Sequence, residues 1–421
     1  MANAPSLDRQ PETRRPVYVY TILAVALTLR LAVIAITVSS HPAQWFYSQA
    51  SELGLLAQSL VNGQGLSAPF GGSTGPSAFL APGYPALVAV LFYLFGSYSM
   101  TAAVVLMVLQ AIFASATVAA ILWLAHTIFN DLTAKIAGLV WAISPPLLFL
   151  PTIFWETSFS IFILTTLIAL TLYCADQPKL SAWIRLALCA LAALAVNPSF
   201  ATVVAGCFAW TLYQSRHTSP RSTPLAVILV FLMICSLWPV RNWRTMHAFI
   251  PLRSNMGYEL WQGNRPGSDG FFSAALHPNT NAYEFGRYKA LGEVAYMREK
   301  SSLARAAILN DLPRFAGLTA KRFVCFWSGM VKQSVWLMVA YTTTTALLGL
   351  CGAWLLWRED RNIAILFLIP ILLLPLPYYL THPDYRFRCV VDPLMAILAA
   401  HALVTWAHTR KNSIPTVEPT K

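Results

Sequence analysis

Apolar runs close to twenty residues long recur from one end of this 421-residue chain to the other. That length is set by a solvent: the hydrocarbon layer of a bilayer is about 30 Å thick and takes roughly 20 helical residues to cross. Inside it every backbone polar group must be paired within its own segment or within a closed barrel. The runs lack the period-two alternation of barrel strands, so they must be helices. Runs spanning Val17 to Val38, Met100 to Phe129, Ala134 to Leu150, Thr157 to Tyr173, Trp183 to Val196, Phe200 to Tyr213, Pro224 to Val240, Val335 to Trp357, Asn362 to Leu380 and Val390 to His408 predict an all-α polytopic membrane protein, a bundle of roughly 10–11 transmembrane helices. Only 11% of residues are charged, against about a quarter in soluble domains, and 57% are hydrophobic.

The formal net charge of +12 raises nucleic acid as a partner, but the basic residues form no stripe with interleaved aromatics. They sit at the ends of the apolar runs, where the excess of Lys and Arg on cytoplasmic loops places them. Arg14 and Arg15, Lys135, Lys179 with Arg185, Arg216 with Arg221, Arg358 with Arg361, and Arg410 with Lys411 then mark cytoplasmic turns. The resulting plan has a cytoplasmic N-terminus (1–16), an N-terminal transmembrane module (17–240) with a first outer loop (40–99), a large outer loop (241–334), C-terminal transmembrane helices (335–409) and a cytoplasmic tail (410–421). A short outer loop covers 381–389. No small-residue cleavage site follows the first run, which reads as an anchor. The seven cysteines, Cys174, Cys189, Cys207, Cys235, Cys325, Cys351 and Cys389, lie mostly within apolar runs without CxxC spacing and read as small buried hydrophobes.

Between Tyr84 and Phe95 an apolar stretch opens with Pro82-Gly83-Tyr84-Pro85; the charge placement favours its not crossing fully. In the first outer loop Leu53, Leu56, Ala57 and Leu60 fall on one helical face, predicting an amphipathic helix flat on the membrane, capped by Ser48 or Ser51 and stopped by Asn62-Gly63-Gln64-Gly65. In the large loop helical stretches are expected around Tyr283 to Glu299 and Leu303 to Asn310. A further interfacial helix is expected after Pro313, carrying Phe315, Leu318, Arg322, Phe323, Phe326 and Trp327.

Chemistry concentrates in few residues. Between Arg30 and Asp131 the only acidic residue is Glu52, in the first turn of the flat helix, where the helix dipole favours the ionised form and suits a base or metal ligand; the alternative is a side chain that only satisfies the helix start. Glu156 stands at the edge of a span, where an ionisable group usually lines a cavity; the alternative is an interfacial side chain reaching water. The run Tyr378 to Arg388 contains His382, Asp384, Arg386 and Arg388. Two arginines outside oppose the charge trend, and their planar guanidinium groups match phosphate, unless Arg386 simply pairs with Asp384. Arg241, Arg244 and Arg253 form a second outer cluster, while His277, His247 and Glu293 read as solvated residues of the large loop.

The order of the flat helix, Asn62-Gly63-Gln64-Gly65 and Pro82-Gly83-Tyr84-Pro85, followed by Arg241-Asn242-Trp243, Pro251-Leu252-Arg253-Ser254-Asn255, Trp261-Gln262-Gly263-Asn264 and Tyr385-Arg386-Phe387-Arg388 with Asp392-Pro393, resembles the GT-C superfamily of membrane glycosyltransferases. Within it the protein O-mannosyltransferase and lipid A aminoarabinose transferase group is the nearest in pattern. The resemblance covers nearly the whole chain. It implies a sugar carried on a polyprenyl phosphate in the membrane, and transfer to an acceptor on the outer face of a bacterial cytoplasmic membrane. It also implies an acidic residue of the first outer loop acting as base or through a divalent metal, the place of Glu52, and a second acidic residue, the place of Glu156. The chain departs from the pattern in having Gln49 and Leu53 where the group often has an aspartate and a tyrosine. The reading is therefore an inverting transferase, with Arg386, Arg388, His382 and Arg241 binding the donor phosphate. A non-catalytic binder or transporter of lipid-linked sugars is the alternative. A channel or secondary transporter would need polar residues threaded through several spans, and these runs hold few.

Overall fold

The computed structural model describes residues 17–218, 220, 222–331 and 335–413. Arg14, Arg15 and Arg221, the N-terminal segment and the last eight residues, which include most of the expected tail, lie outside them. Among the described residues the chain is helical throughout, with one isolated bridge, Ser67 to Pro76, in place of any strand.

The first helix, α1 (Val17–Ser40), is followed by two short ones, α2 (Ala43–Ser48) and α3 (Ser51–Val61), and by α4 (Gly83–Phe95). At 13 residues α4 is about 20 Å long, short of a hydrocarbon layer. Next come α5 (Met100–Ile128), capped by Ser99 accepting from the Ala102 N–H, and α6 (Asp131–Ile143), capped by Asn130. Pro145 and Pro146 cannot continue α6, so the chain bends by 53° into α7 (Pro145–Phe149). The stranded carbonyls of Trp141 and Ala142 are met by Arg30 of α1, wholly buried at mid-helix, at 3.4 and 3.3 Å. A buried guanidinium so placed satisfies a helix end and binds α1 to α6.

Four apolar helices follow: α8 (Thr157–Asp176), α9 (Leu180–Val196), α10 (Ala201–Ser215) and α11 (Ser222–Met246). The large loop folds as α12 (Met256–Asn264), α13 (Ala282–Leu291), α14 (Glu293–Asn310) and α15 (Leu312–Ser328). Gly292, at φ 73°, makes the corner between α13 and α14 that the expected helix from Tyr283 to Glu299 did not contain. The chain ends with α16 (Trp336–Glu359), α17 (Arg361–Leu373), the short α18 (Leu376–Leu380) and α19 (Tyr385–Cys389), and α20 (Asp392–Ser413).

Among the described residues six helices are long and apolar enough to cross a membrane, or seven if the bent pair of α6 and its continuation forms one span. This is a multi-pass membrane protein. The expected count of roughly 10–11 also included α9 and α10, which are 17 and 15 residues long, and α20, which is not apolar enough to be among the six. From Val390 to Ala402 every residue of the last helix and its lead-in is buried, so this part of α20 is surrounded by protein on all sides and needs no lipid-facing stripe, while Leu403 and Trp406 beyond it are exposed.

A second difference concerns α3. Its buried face carries Glu52, Leu53, Gly54, Leu56, Ala57 and Ser59 and packs on α4, so the apolar stripe faces protein and not a membrane surface. Neither Ser48 nor Ser51 caps it; the cap position is Ala50, without a side-chain bond.

A candidate active site where three loops meet

Residues from 40–99, 241–331 and 381–389 meet at one end of the bundle. Several contacts tie the first loop to the large one. Arg241 donates to the carbonyls of Ser77 and Leu66, both at 2.8 Å. Glu293 accepts from the Ala78 N–H at 2.7 Å, from the Ser254 hydroxyl and from the Tyr288 hydroxyl. Asn279 donates to the Ser51 hydroxyl at 2.6 Å. The large loop is bound to the last one by Arg322 of α15, almost fully buried, which donates to Gly263 O, Gly270 O, Tyr379 O, Leu380 O and Asn264 Oδ1. Gly263 lets α12 lie against this strand, because a Cβ there would collide with the Thr381 carbonyl.

Within this junction stand two carboxylate–imidazole pairs. Glu52 Oε1 lies 3.1 Å from His277 Nε2, with both side chains about one-tenth exposed. Glu259 Oε2 lies 2.9 Å from His382 Nε2, and Asn255 donates to Glu259 Oε1 at 2.7 Å. Phe272 stands between them, 5.8 Å from the His277 ring and 5.4 Å from that of His382. Burial depresses the pKa of His277 against the opposing pull of Glu52 and Glu259, so this imidazole is held neutral. For Glu259 burial acts to raise the pKa, but the hydrogen bond and charge of His382, with Arg253 and His277, outweigh it and hold the carboxyl below its ordinary value.

Arg386 and Glu156 approach from the other side. The Arg386 guanidinium lies 4.1 Å over the ring of Trp155, the residue before Glu156, and 5.0 Å from the ring of Phe387, itself 6.1 Å from His382. Its Nε also pairs with Asp384 Oδ2 at 3.6 Å, the ion pair offered as the alternative, so Arg386 is held by both Trp155 and Asp384. Tyr378, bonded to Ser199 at 3.3 Å, stands in the combined field of Glu156, Arg253 and Arg386. Glu52, Glu156, His382 and Arg386 are thus gathered at one end of the bundle, from three separate stretches of sequence.

Two of the expected phosphate ligands are committed elsewhere. Arg388 is buried and paired with Asp392, one helical turn on, and faces the Trp327 ring at 5.0 Å. Arg241 serves the first-loop carbonyls named above. Arg253, half-buried with its Nε on Phe79 O at 2.9 Å, is the arginine of the second cluster that reaches this junction. His277 and Glu293 are corrected as well: both are buried and bonded across the loop boundary, whereas His247 is exposed as expected. Periodicity could not reveal them, since their partners lie in another loop; the signal available was that Glu52 had no local cation to pair with. Among the described residues no three His, Cys, Asp or Glu side chains stand close enough to hold a metal ion.

The fold is the GT-C-like helical bundle expected from the sequence. The chain is similar to the archaeal oligosaccharyltransferase of Archaeoglobus fulgidus in its apo form, with 12% identity and a TM-score of 0.54 over 97% of this chain and 53% of that one. It is also similar to the same organism's oligosaccharyltransferase AglB in complex with an inhibitory peptide and a dolichol-phosphate, with 11% identity and a TM-score of 0.52 over 96% and 53%. The chain spans about half the length of these structures. ArnT from Cupriavidus metallidurans bound to undecaprenyl phosphate, 13% identical over 96% of this chain and 82% of that one, aligns at a TM-score of 0.36, too low to argue from. No protein-family model and no curated protein sequence matches the chain.

Proposed function

We propose that this protein is a glycosyltransferase that moves a sugar from a polyprenyl-phosphate donor to an acceptor hydroxyl at the outer face of the cytoplasmic membrane, with inversion. The observation that carries the reading is the state of Glu52. One carboxylate oxygen is held by His277, while Oε2 has no hydrogen bond among the described residues and is not among the buried atoms that lack a partner, so it is open to the junction. A carboxylate anchored at one oxygen and open at the other is suited to take a proton. In the reaction the acceptor oxygen attacks the anomeric carbon as the carbon–oxygen bond to phosphate breaks, the hydroxyl proton passes to Glu52, and the phosphate leaves with the bonding electrons. Arg386 and Arg253 supply fixed positive charge for the developing phosphate dianion, an effect that is often the largest in catalysis. Because its Nε2–H bonds Glu259, the buried Nδ1 of His382, which has no partner among the described residues, can donate to the phosphate only as an imidazolium. The Glu156 side chain carries no hydrogen bond or ion pair among the described residues, only its backbone carbonyl accepting from Ser160, and it takes the second acidic position, on the acceptor side.

The dolichol-phosphate in the AglB structure supports a lipid-phosphate donor for a protein of this fold. Fold alone does not specify chemistry, and Gln49 in place of an aspartate favours a second reading, a binder of lipid-linked sugars without turnover. Purified protein in lipid nanodiscs, given labelled polyprenyl-phosphate hexose, separates the two: release of polyprenyl phosphate, lost in a folded E52Q variant, is expected. Donor binding without release by the wild-type protein would establish the binder, and full turnover by E52Q would remove Glu52 from the mechanism.

A further inference from the structure

The large loop contributes to the reaction centre as well as covering it. We infer that His277 is the positioning residue of Glu52, a neutral imidazole that fixes one carboxylate oxygen so that the other faces the acceptor. This rests on Glu52 being the base.

The tautomer follows from the hydrogen bonds. The Asn279 backbone N–H donates to His277 Nδ1 at 3.3 Å, which leaves the proton on Nε2, and Nε2 donates to Glu52 Oε1 at 3.1 Å. The ring is confined by Phe70 at 5.2 Å, Tyr258 at 5.7 Å and Phe272 at 5.8 Å, so it cannot turn away. A second bond lies beside it, one residue before Glu52 and two after His277: the Asn279 side chain donates to the Ser51 hydroxyl at 2.6 Å. Glu52 and His277 are therefore placed by a clasp of two side-chain bonds between α3 and the loop before α13. A rotamer-locked partner of this kind sets the geometry of a catalytic group to within tenths of an ångström, and loss of such support typically costs about a hundredfold in rate.

The charged and titratable groups around His277 are Glu52 from α3, Glu259 and Tyr258 from α12, and, beyond Glu259, His382 and Arg253; Glu284 reaches Tyr258 from α13. With a carboxylate on either side, burial still keeps the imidazole neutral. A neutral donor holds a carboxylate in place without neutralising it, as a base requires.

The test compares H277F and H277Q with the wild-type protein in nanodiscs, measuring donor release across pH. H277F is expected to lower kcat by about a hundredfold with little change in the KM for donor. The acid limb of kcat/KM is expected to move up by about one pH unit, because a carboxylate that loses a donor ionises less readily. H277Q keeps an amide donor and should recover part of both effects. If H277F does not fold, H277Q carries the test, with a smaller shift in the same direction. An unmoved acid limb in the folded variants overturns the assignment, since a merely structural histidine would lower rate at all pH values alike. Undiminished turnover in E52Q would instead defeat the reading of Glu52, which is a separate outcome.

Discussion

Replacing Arg322 by Met tests how the large loop is held to the reaction centre. Arg322 donates to five acceptors: Gly263 O, Gly270 O, Asn264 Oδ1, Tyr379 O and Leu380 O. The Leu380 carbonyl also receives the Asn264 side chain at 2.8 Å and keeps a partner in the variant, so the other four lose theirs. At about 1 kcal/mol net for each, the loss is about 4 kcal/mol. Met has a similar shape and regains about a quarter of this through its buried apolar surface, leaving about 3 kcal/mol. Burial and the neighbouring charge of Arg314 bring the Arg322 pKa down to about 10, so the group is still a charged donor at neutral pH. The cost should be local, because all five acceptors lie in 263–270 and 379–380. Native-state hydrogen exchange in nanodiscs should show protection falling by about a hundredfold in α12 and in 376–389, with the transmembrane helices unchanged. Donor release should fall with it, since His382 and Arg386 follow directly on Leu380. R322K, with one compact ammonium in place of the planar fork, should lie between the two. Unchanged protection in 256–270, or a loss spread evenly over the molecule, would refute the reasoning.

Three further outcomes are expected. R388M should destabilise the protein by about 3–5 kcal/mol by leaving Asp392 buried and unpaired, and R388M with D392L should regain most of it; R386Q should leave stability unchanged and weaken donor release, so the pair of variants in a thermal-unfolding and release assay separates a structural arginine from a phosphate-binding one. E293L strands the Ala78 N–H and the Ser254 and Tyr288 hydroxyls, at about 1 kcal/mol or more each, and limited proteolysis should then cut residues 66–82 faster. Acidification should loosen the large loop in two stages. The depressed pKa of His277 means that the unfolded chain binds a proton more readily than the folded one, so stability falls as pH drops below about 6.5, the ordinary value; the depressed pKa of Glu259 adds stability that is present above about 4.5 and lost as pH falls below it. Exchange of amides in 256–281, corrected for intrinsic rate, reads both, and a flat profile between pH 7 and pH 5 would remove the His277 contribution.

Local pattern was enough for the class of fold. Apolar runs of bilayer length require helices whatever their partners, because backbone pairing in hydrocarbon is a property of each segment alone, and so α1, α5, α8, α11 and α16 were legible from composition. The isolation of Glu52 among uncharged residues was legible in the same way. What each helix faces was not. A stripe of Leu53, Leu56 and Ala57 is the same whether it meets lipid or α4, and only packing decided for α4. The roles of the arginines were decided there too: Arg386, Arg388, Arg241 and Arg253 are equivalent as charges in sequence, yet one stacks on Trp155 next to Asp384, one is sealed against Asp392, one holds the first loop and one reaches Glu259. His277 was hidden for a related reason, since Ser51 and Asn279 bond across 228 positions and no local periodicity encodes a contact of that separation. Hydrophobic burial acts segment by segment and can be read along the chain; hydrogen bonds and ion pairs require two groups within about 3 Å, and only the folded chain brings them there.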